Sequence, residues 1–433
     1  MSGTTAGLIG LAIMLVLMFA NVNLAFTFMI SGFLGVSLMM GLKGALTFLQ
    51  TIPVNAAMIY SLSVIPLFML MGDIAVDGRL TTDAYGTARS FLGRIHGGLA
   101  ITSTTASAIF GAICGSGQAT AMVMSQIAWP EMKKYGYNKQ MGLASIAAAG
   151  PLAILIPPST PLITYGILSE TSVGKLFMAG WIPGIILTIA LCMTTYIMCR
   201  IDPKKAPLAD KMTWKDKLKS LVGAWPILLL VVVMMICIWG GITTVSEAAG
   251  AAVIICIIIV FAKRRLTVKQ MARTIRNSAV MGSGLFFMFV GINLFNSFLG
   301  LSQLPAKLAA FVTGLNVSPM VVIWAIVIAY LILGCFIDTP VIMMLTIPLF
   351  APTVSALGFS LVWFGILSTM TVALGSITPP VGICLFVIAA RIKDCRLSDL
   401  YKGIWPYIIA TFAVTVLVMY FPILSTWLPG LMQ

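Results

Sequence analysis

The chain has 433 residues, 60% of them hydrophobic and only 9% charged, and its net charge is +14. Soluble globular proteins carry about a quarter charged residues, so lipid must cover much of this apolar surface, which excludes a soluble domain. The basic excess reads as loop charge of a membrane protein, with no nucleic-acid partner, and eight scattered cysteines without a CxxC pair exclude a disulfide framework or a zinc site.

Taken in chain order, apolar helices are predicted over about 5–20, 24–42 and 58–73. The first run, Gly7 to Ala20, has no basic segment before it and no small-residue cleavage site after it, so it reads as a retained span. A broken apolar segment follows at about 100–130, then a span interrupted by a double proline (141–169), then a span at 176–199. The stretch 201–222 is basic and amphipathic and is expected to lie as a helix on the cytoplasmic membrane face. Beyond it come spans at about 226–241, 247–262 and 280–298, a broken segment at 321–350, an interrupted span at 360–390 and a last span at 403–428. The expected fold is an all-α polytopic membrane protein with about ten transmembrane helices and two re-entrant helical hairpins.

The two halves repeat. A shift of 222 positions carries Pro130 onto Pro352, Gly136 onto Gly358 and Pro157-Pro158 onto Pro379-Pro380. The first repeat then covers 1–200 and the second 223–433, joined by 201–222. With the N-terminus outside and five crossings per half, the loops placed inside include Arg79, Arg89 and Arg94, then Lys133, Lys134 and Lys139, and the basic linker with Lys211. Of the 26 basic residues, only Lys43, Lys175 and Lys307 then fall outside. An odd number of crossings inserts the repeats upside down relative to each other. Inverted repeats with broken helices are characteristic of secondary transporters, whose sites lie near mid-membrane at the repeat interface. Both termini are expected on the periplasmic side.

Adjacent prolines free carbonyls that an intact helix would use, and in hydrocarbon such groups need a partner. A hard cation such as Na⁺ prefers oxygen ligands. The candidate Na⁺ ligands are therefore the backbone and hydroxyls around Pro157 and Ser159, and around Gly375, Ser376, Thr378 and Pro379. The first hairpin adds Gly115, Ser116 and Gly117 from CGSGQAT, and the second adds Asp338 and Thr339 from CFIDTP. Ser116, Gln118, Thr160, Asp338 and Val381 are candidate substrate contacts. Asp338 reads equally as a helix cap and as a membrane-depth counter-charge. Glu247 reads as the first-turn acid of a helix capped by Thr244 or Ser246, Asp73 and Asp77 as solvated, and His96 as without a role. Competing readings are an ATP-driven permease component that docks an ATPase on the 200–222 loop, an intramembrane enzyme and a passive channel. The enzyme lacks a paired-Asp, Ser/Lys or HExxH set, and there is no Walker A motif.

Several long motifs, spread from about residue 60 to residue 410, carry a resemblance. IPLFMLMGD (65–73), FGAICGSGQATA (110–121), PEMKKYGY (130–137), ILIPPSTPLITYG (154–166), SVGKLFMAGWIPG (172–184) and ITPPVG (377–382) resemble the large membrane subunit of tripartite ATP-independent periplasmic (TRAP) transporters, the DctM/SiaM type. The resemblance implies a Na⁺-driven importer of an organic acid, such as sialic acid or a C4-dicarboxylate, in the bacterial inner membrane. It implies two partners, a periplasmic substrate-binding protein and a small four-helix membrane subunit. It also implies two or more coupling Na⁺ ions and an elevator-type transport domain moving against a scaffold. The first hairpin tip departs from the family's usual SGSS, reading Cys114-Gly115-Ser116-Gly117, which leaves ligation there to the backbone.

Overall fold

The structure is a computed structural model that describes residues 3–20, 22–210, 212–314, 317–393 and 395–432. Every regular element among the described residues is helical, as expected where backbone groups must find partners within their own segment. The first half forms α1 (Gly3–Phe19), α2 (Leu24–Ala57), α3 (Val64–Asp77) and α4 (Leu80–Leu92). The pair α5 (Gly98–Cys114) and α6 (Gly117–Lys134) follows, then α7 (Lys139–Ala149), α8 (Leu152–Leu155), α9 (Thr160–Leu168) and α10 (Val173–Ile201). The second half forms α11 (Trp214–Trp239), α12 (Val245–Ala262), α13 (Val268–Ser302) and α14 (Leu304–Gly314). The pair α15 (Pro319–Gly334) and α16 (Thr339–Ala356) follows, then α17 (Leu361–Gly375), α18 (Ile383–Arg391), α19 (Leu397–Tyr420) and α20 (Ile423–Thr426).

Nine helical segments among the described residues are long and apolar enough to cross a bilayer, against about ten expected. The difference is one of length. Helix α1 has 17 residues and the second break divides α17 from α18, whereas one hairpin arm, α16, reaches 18. Two other helices are longer than the hydropathy suggests. Helix α2 runs 34 residues with a non-helical Gly41 (φ 74°, ψ 173°) inside it, and α13 runs 35. Helices α4 and α14 were not anticipated. They precede the two hairpins, and their last residues, Leu92 and Gly314, are 222 apart. Within 201–222 the expected surface helix is replaced by a single 3-10 turn at Pro203–Lys205 and by the start of α11. Thr213 and Asp216 form a capping box that starts α11 at Trp214, from where it continues unbroken into the span. Lys211 lies outside the described residues.

The extra turns of α13 correct a further expectation. Ser278 Oγ donates to Asp73 Oδ2 and Thr274 Oγ1 donates to Asp77 Oδ2, each at 2.5 Å. Both carboxylates are thus tied to a neighbouring helix, Asp73 half-buried there and Asp77 still exposed to water as expected. Glu247 has the capping role: its carboxylate accepts from the Thr244 amide at 2.7 Å, and Thr244 Oγ1 accepts from the Glu247 amide at 3.3 Å.

The repeats point in opposite directions. Lys139, at the start of α7, pairs with Asp399, at the start of α19, at 2.8 Å. At the other end of the same unit, Tyr165 Oη in α9 donates to the Leu361 carbonyl, at the start of α17, at 2.6 Å. The interrupted path α7–α9 thus runs antiparallel to α17–α18. Hairpin α5–α6 opens toward the Lys139 end, because residues 135–138 join it directly to α7. Hairpin α15–α16 opens toward the Leu361 end, because residues 357–360 join it to α17. Around this core, α2 packs along α13 through Phe28, Phe295 and Phe298, and α3 lies between α12 and α13.

Candidate functional site

The two breaks share a proline pair but are closed differently, by the Ser159 side chain in the first and by left-handed Gly382 in the second. Helix α8 ends at Leu155, the chain extends through Ile156 and two prolines, and Ser159 caps α9. The buried Ser159 Oγ accepts from the Leu162 amide (3.4 Å) and donates to the Ile154 carbonyl (2.5 Å). In the second break Ser376 Oγ donates to the Ala373 carbonyl and Thr378 Oγ1 to the Leu374 carbonyl, both at 2.7 Å. A hydroxyl that spends its proton on a carbonyl of the preceding turn keeps acceptor lone pairs to offer elsewhere.

The hairpin turns are clasped to these breaks. The Thr160 amide donates to the Gly115 carbonyl at 3.4 Å, and the Gly382 amide donates to the Cys335 carbonyl at 3.2 Å. The donors Thr160 and Gly382 are 222 apart and the acceptors Gly115 and Cys335 are 220 apart, so the clasp recurs with a two-residue slip in the hairpin turn. Gly115 is left-handed (φ 62°), and a Cβ there would stand 3.1 Å from the Pro158 carbonyl oxygen and 3.2 Å from Thr160 Oγ1. Glycine is what lets these oxygens crowd one turn. Ser116 caps α6 through the Ala119 amide at 3.4 Å. Asp338 caps α16: its Oδ1 accepts from the Thr339 amide and from Gln118 Nε2, both at 2.7 Å. The second of these bonds joins the two hairpin tips. Asp338 is therefore both a cap and the meeting point of the repeats.

A cavity of about 650 Å³ opens at this junction. The tips and the first turns of α6, α9, α16 and α18 form one wall. Asn23 before α2, Met69 of α3, and Met281, Leu285 and Met288 of α13 form the other. Of the residues singled out from the sequence, Gly115, Ser116, Gly117, Gln118, Thr160, Asp338, Thr339 and Ser376 line it. Pro157, Ser159, Gly375, Thr378, Pro379 and Val381 do not. Gly375 is instead a packing residue, since its α-carbon face meets the backbone of Gly334 in α15. Tyr401 Oη donates to the Pro380 carbonyl and, at 3.5 Å, to that of Val381. Sequence reasoning missed the second wall. The pair of glycines in MGSG (281–284) within a long span, and Asn23 between two spans, were the signals for it.

Residues 11–424 match the family described as "Tripartite ATP-independent periplasmic transporter, DctM component". The chain belongs to this family. As a DctM component it is a multi-pass membrane transporter subunit rather than an enzyme, and the ATP-driven alternative falls with the family's ATP independence. It is 32% identical to the C4-dicarboxylate TRAP transporter large permease protein DctM of Pseudomonas aeruginosa, over 90% of this chain and 93% of that protein. It is 30% identical to the ectoine TRAP transporter large permease protein TeaC of Halomonas elongata, over 86% of each. Among solved structures, the YdaH transporter of Alcanivorax borkumensis shares the fold of this DctM chain, with a TM-score of 0.67 at 16% identity, covering 88% of this chain and 89% of YdaH.

Proposed function

We propose that this DctM component is the large permease of a Na⁺-coupled importer that takes a small organic acid from a periplasmic binding protein. It works beside a small four-helix membrane subunit in the bacterial inner membrane, with both termini periplasmic. The observation that carries the reading is the cavity bounded on one side by paired broken helices and hairpin tips and on the other by α2, α3 and α13. That is the arrangement of a secondary transporter site at a repeat interface. Its volume suits an organic solute.

The oxygens fit Na⁺ as the co-transported ion. At the first clasp the carbonyls of Gly115 and Pro158 and the Thr160 hydroxyl crowd together, and at the second the helix stops ahead of Thr378-Pro379, although the Ser376 carbonyl is taken by the Cys384 amide at 3.0 Å. Among the described residues no cluster of His, Cys, Asp or Glu is arranged to hold a metal, so a hard cation would rely on these backbone and hydroxyl oxygens. Each charge carried inward gains about 2.3 kcal/mol per 100 mV of membrane potential, which suffices to concentrate a solute when two or more ions move. The core of hairpins and broken helices is the unit that would ride, elevator-fashion, against the scaffold of α2, α3 and α13. The solute is an organic acid of the type named for the relatives, a C4-dicarboxylate, sialic acid or ectoine.

The test is uptake into proteoliposomes that hold the chain and its small subunit, with the binding protein outside and no nucleotide present. An inward Na⁺ gradient is expected to drive accumulation. Equal uptake with K⁺ replacing Na⁺ on both sides would overturn the coupling.

A further inference from the structure

The cavity has an unbalanced charge. Among the described residues Asp338 is the one charged side chain that lines it, and no Lys or Arg of theirs reaches the lining. The carboxylate is exposed to the cavity, its side-chain partner is the neutral amide of Gln118, and no ion pair among the described residues involves it. A carboxylate at membrane depth calls for a positive partner. A solute bearing only carboxylates would bring like charge to Asp338 and would find no side-chain cation opposite. The same wall does offer a place for one carboxylate. The amides of Gly117 and Gln118, the first two of α6, have no partner within the helix, and helix N-termini favour anions. The rest of the lining is soft and apolar, with Met69, Met122, Met281 and Met288 able to pack around an aliphatic or ring body.

We propose that the transported solute is zwitterionic: it carries a positively charged nitrogen that Asp338 receives, and a carboxylate that docks on the start of α6. The proposal rests on the reading of the chain as an organic-acid importer and narrows it to one charge class. Gln118 is the positioning residue, since its amide holds Asp338 Oδ1 toward the cavity.

The test is ligand-dependent thermal stabilisation of the full-length chain, purified with its small subunit, in Na⁺ buffer and in K⁺ buffer. The probes are ectoine, glycine betaine and proline as zwitterions, with succinate and N-acetylneuraminate as anions without a charged nitrogen. In Na⁺, at least one zwitterion is expected to reach half-maximal stabilisation at a concentration about tenfold or more below either anion, the discrimination a charge-assisted pair provides. Asp338→Asn is expected to lose that zwitterion's effect about tenfold or more, and Asp338→Glu to restore part of the loss. Tighter binding of succinate or N-acetylneuraminate overturns the proposal, as does an Asn variant that keeps its zwitterion affinity. The wild-type panel decides the matter even where the Asn variant does not fold. Na⁺-driven uptake of succinate but of no zwitterion would sink this inference and leave the importer reading intact, whereas the loss of all Na⁺ dependence would sink the importer reading itself.

Discussion

Gly375→Ala tests how the second hairpin is held. Gly375 is the last residue of α17, and a Cβ there would lie 2.7 Å from Gly334 Cα, 2.8 Å from the Gly334 carbonyl carbon and 2.9 Å from the Leu331 carbonyl oxygen. All three are backbone atoms of α15, so no side chain can swing aside. Ordinary contact begins near 3.4 Å, so the hairpin arm must retreat by about 0.7 Å. Overpacking of this kind costs about 1–3 kcal/mol. The helical gain of Ala over Gly is small at a terminal position, so the net effect is a loss of about 1–2 kcal/mol. The shift also strains the nearby clasp from the Gly382 amide to the Cys335 carbonyl. Gly300→Ala is the control. It lies in α13, nothing stands within 4 Å of its would-be Cβ, and alanine there should stabilise by about 0.5–1 kcal/mol. The assay is the thermal midpoint of monodisperse protein in detergent, read beside Na⁺-driven uptake. Gly375→Ala should lower both; Gly300→Ala should raise the midpoint and leave uptake alone. A Gly375→Ala protein as stable and as active as the parent would show that hairpin and broken helix are not in backbone contact.

Three further outcomes follow from the same geometry. Tyr165→Phe removes the hydroxyl that donates to the Leu361 carbonyl, and should lower the thermal midpoint by the equivalent of about 1 kcal/mol without changing which solute is carried. Glu247→Ala removes the carboxylate half of the capping box of α12, with faster amide exchange confined to that helix's first turns and uptake retained. Ser90 and Ser220, whose hydroxyl oxygens are 2.7 Å apart, should form a disulfide when both are replaced by cysteine. If α4 stays fixed to α11 throughout the cycle, that cross-link leaves uptake at the parent rate, and abolished uptake would mean that the two helices separate.

The breaks were legible because their chemistry is written in residue types. A proline pair cannot continue a helix, and a glycine beside it marks a turn, whatever packs around them. Asp338 was legible to the same degree, since few reasons exist for a carboxylate at membrane depth. The connectors α4 and α14 were not legible. Leu80–Leu92 reads TTDAYGTARS through its middle, too polar and too short for a span, and only burial of Leu80, Ala84, Tyr85 and Ala88 against other helices makes it regular structure. The scaffold wall of the cavity was hidden for a different reason. Met281, Leu285 and Met288 look the same in sequence whether they face lipid, core or cavity, and pairing between distant helices decides which. Asp73 was misread because its partner, Ser278, lies about two hundred residues away on a turn of α13 that hydropathy did not predict.

The packing also exchanges parts between the repeats. Helix α9, the second half of the first broken path, lies on α16 of the second hairpin, while α18, its counterpart, lies on α6 of the first. Each repeat therefore makes its own clasp but takes its support from the other, and the tip contact between Gln118 and Asp338 closes the two into one body. This body meets the scaffold differently. Helix α4 is tied to the scaffold at Asp83, which receives Lys263 at 3.1 Å and Arg265 at 2.9 Å, and at Thr87, which donates to the Ser220 carbonyl at 2.6 Å. Toward the core its ion pair is between Arg89 and Glu131, at 2.6 Å, and it is partly exposed. Exposed ion pairs contribute about 0–1 kcal/mol, far less than the buried contacts inside the body. Helix α4 nonetheless packs along α5 as well as along α11, so it joins the body to the scaffold through buried side chains and not through the ion pair alone.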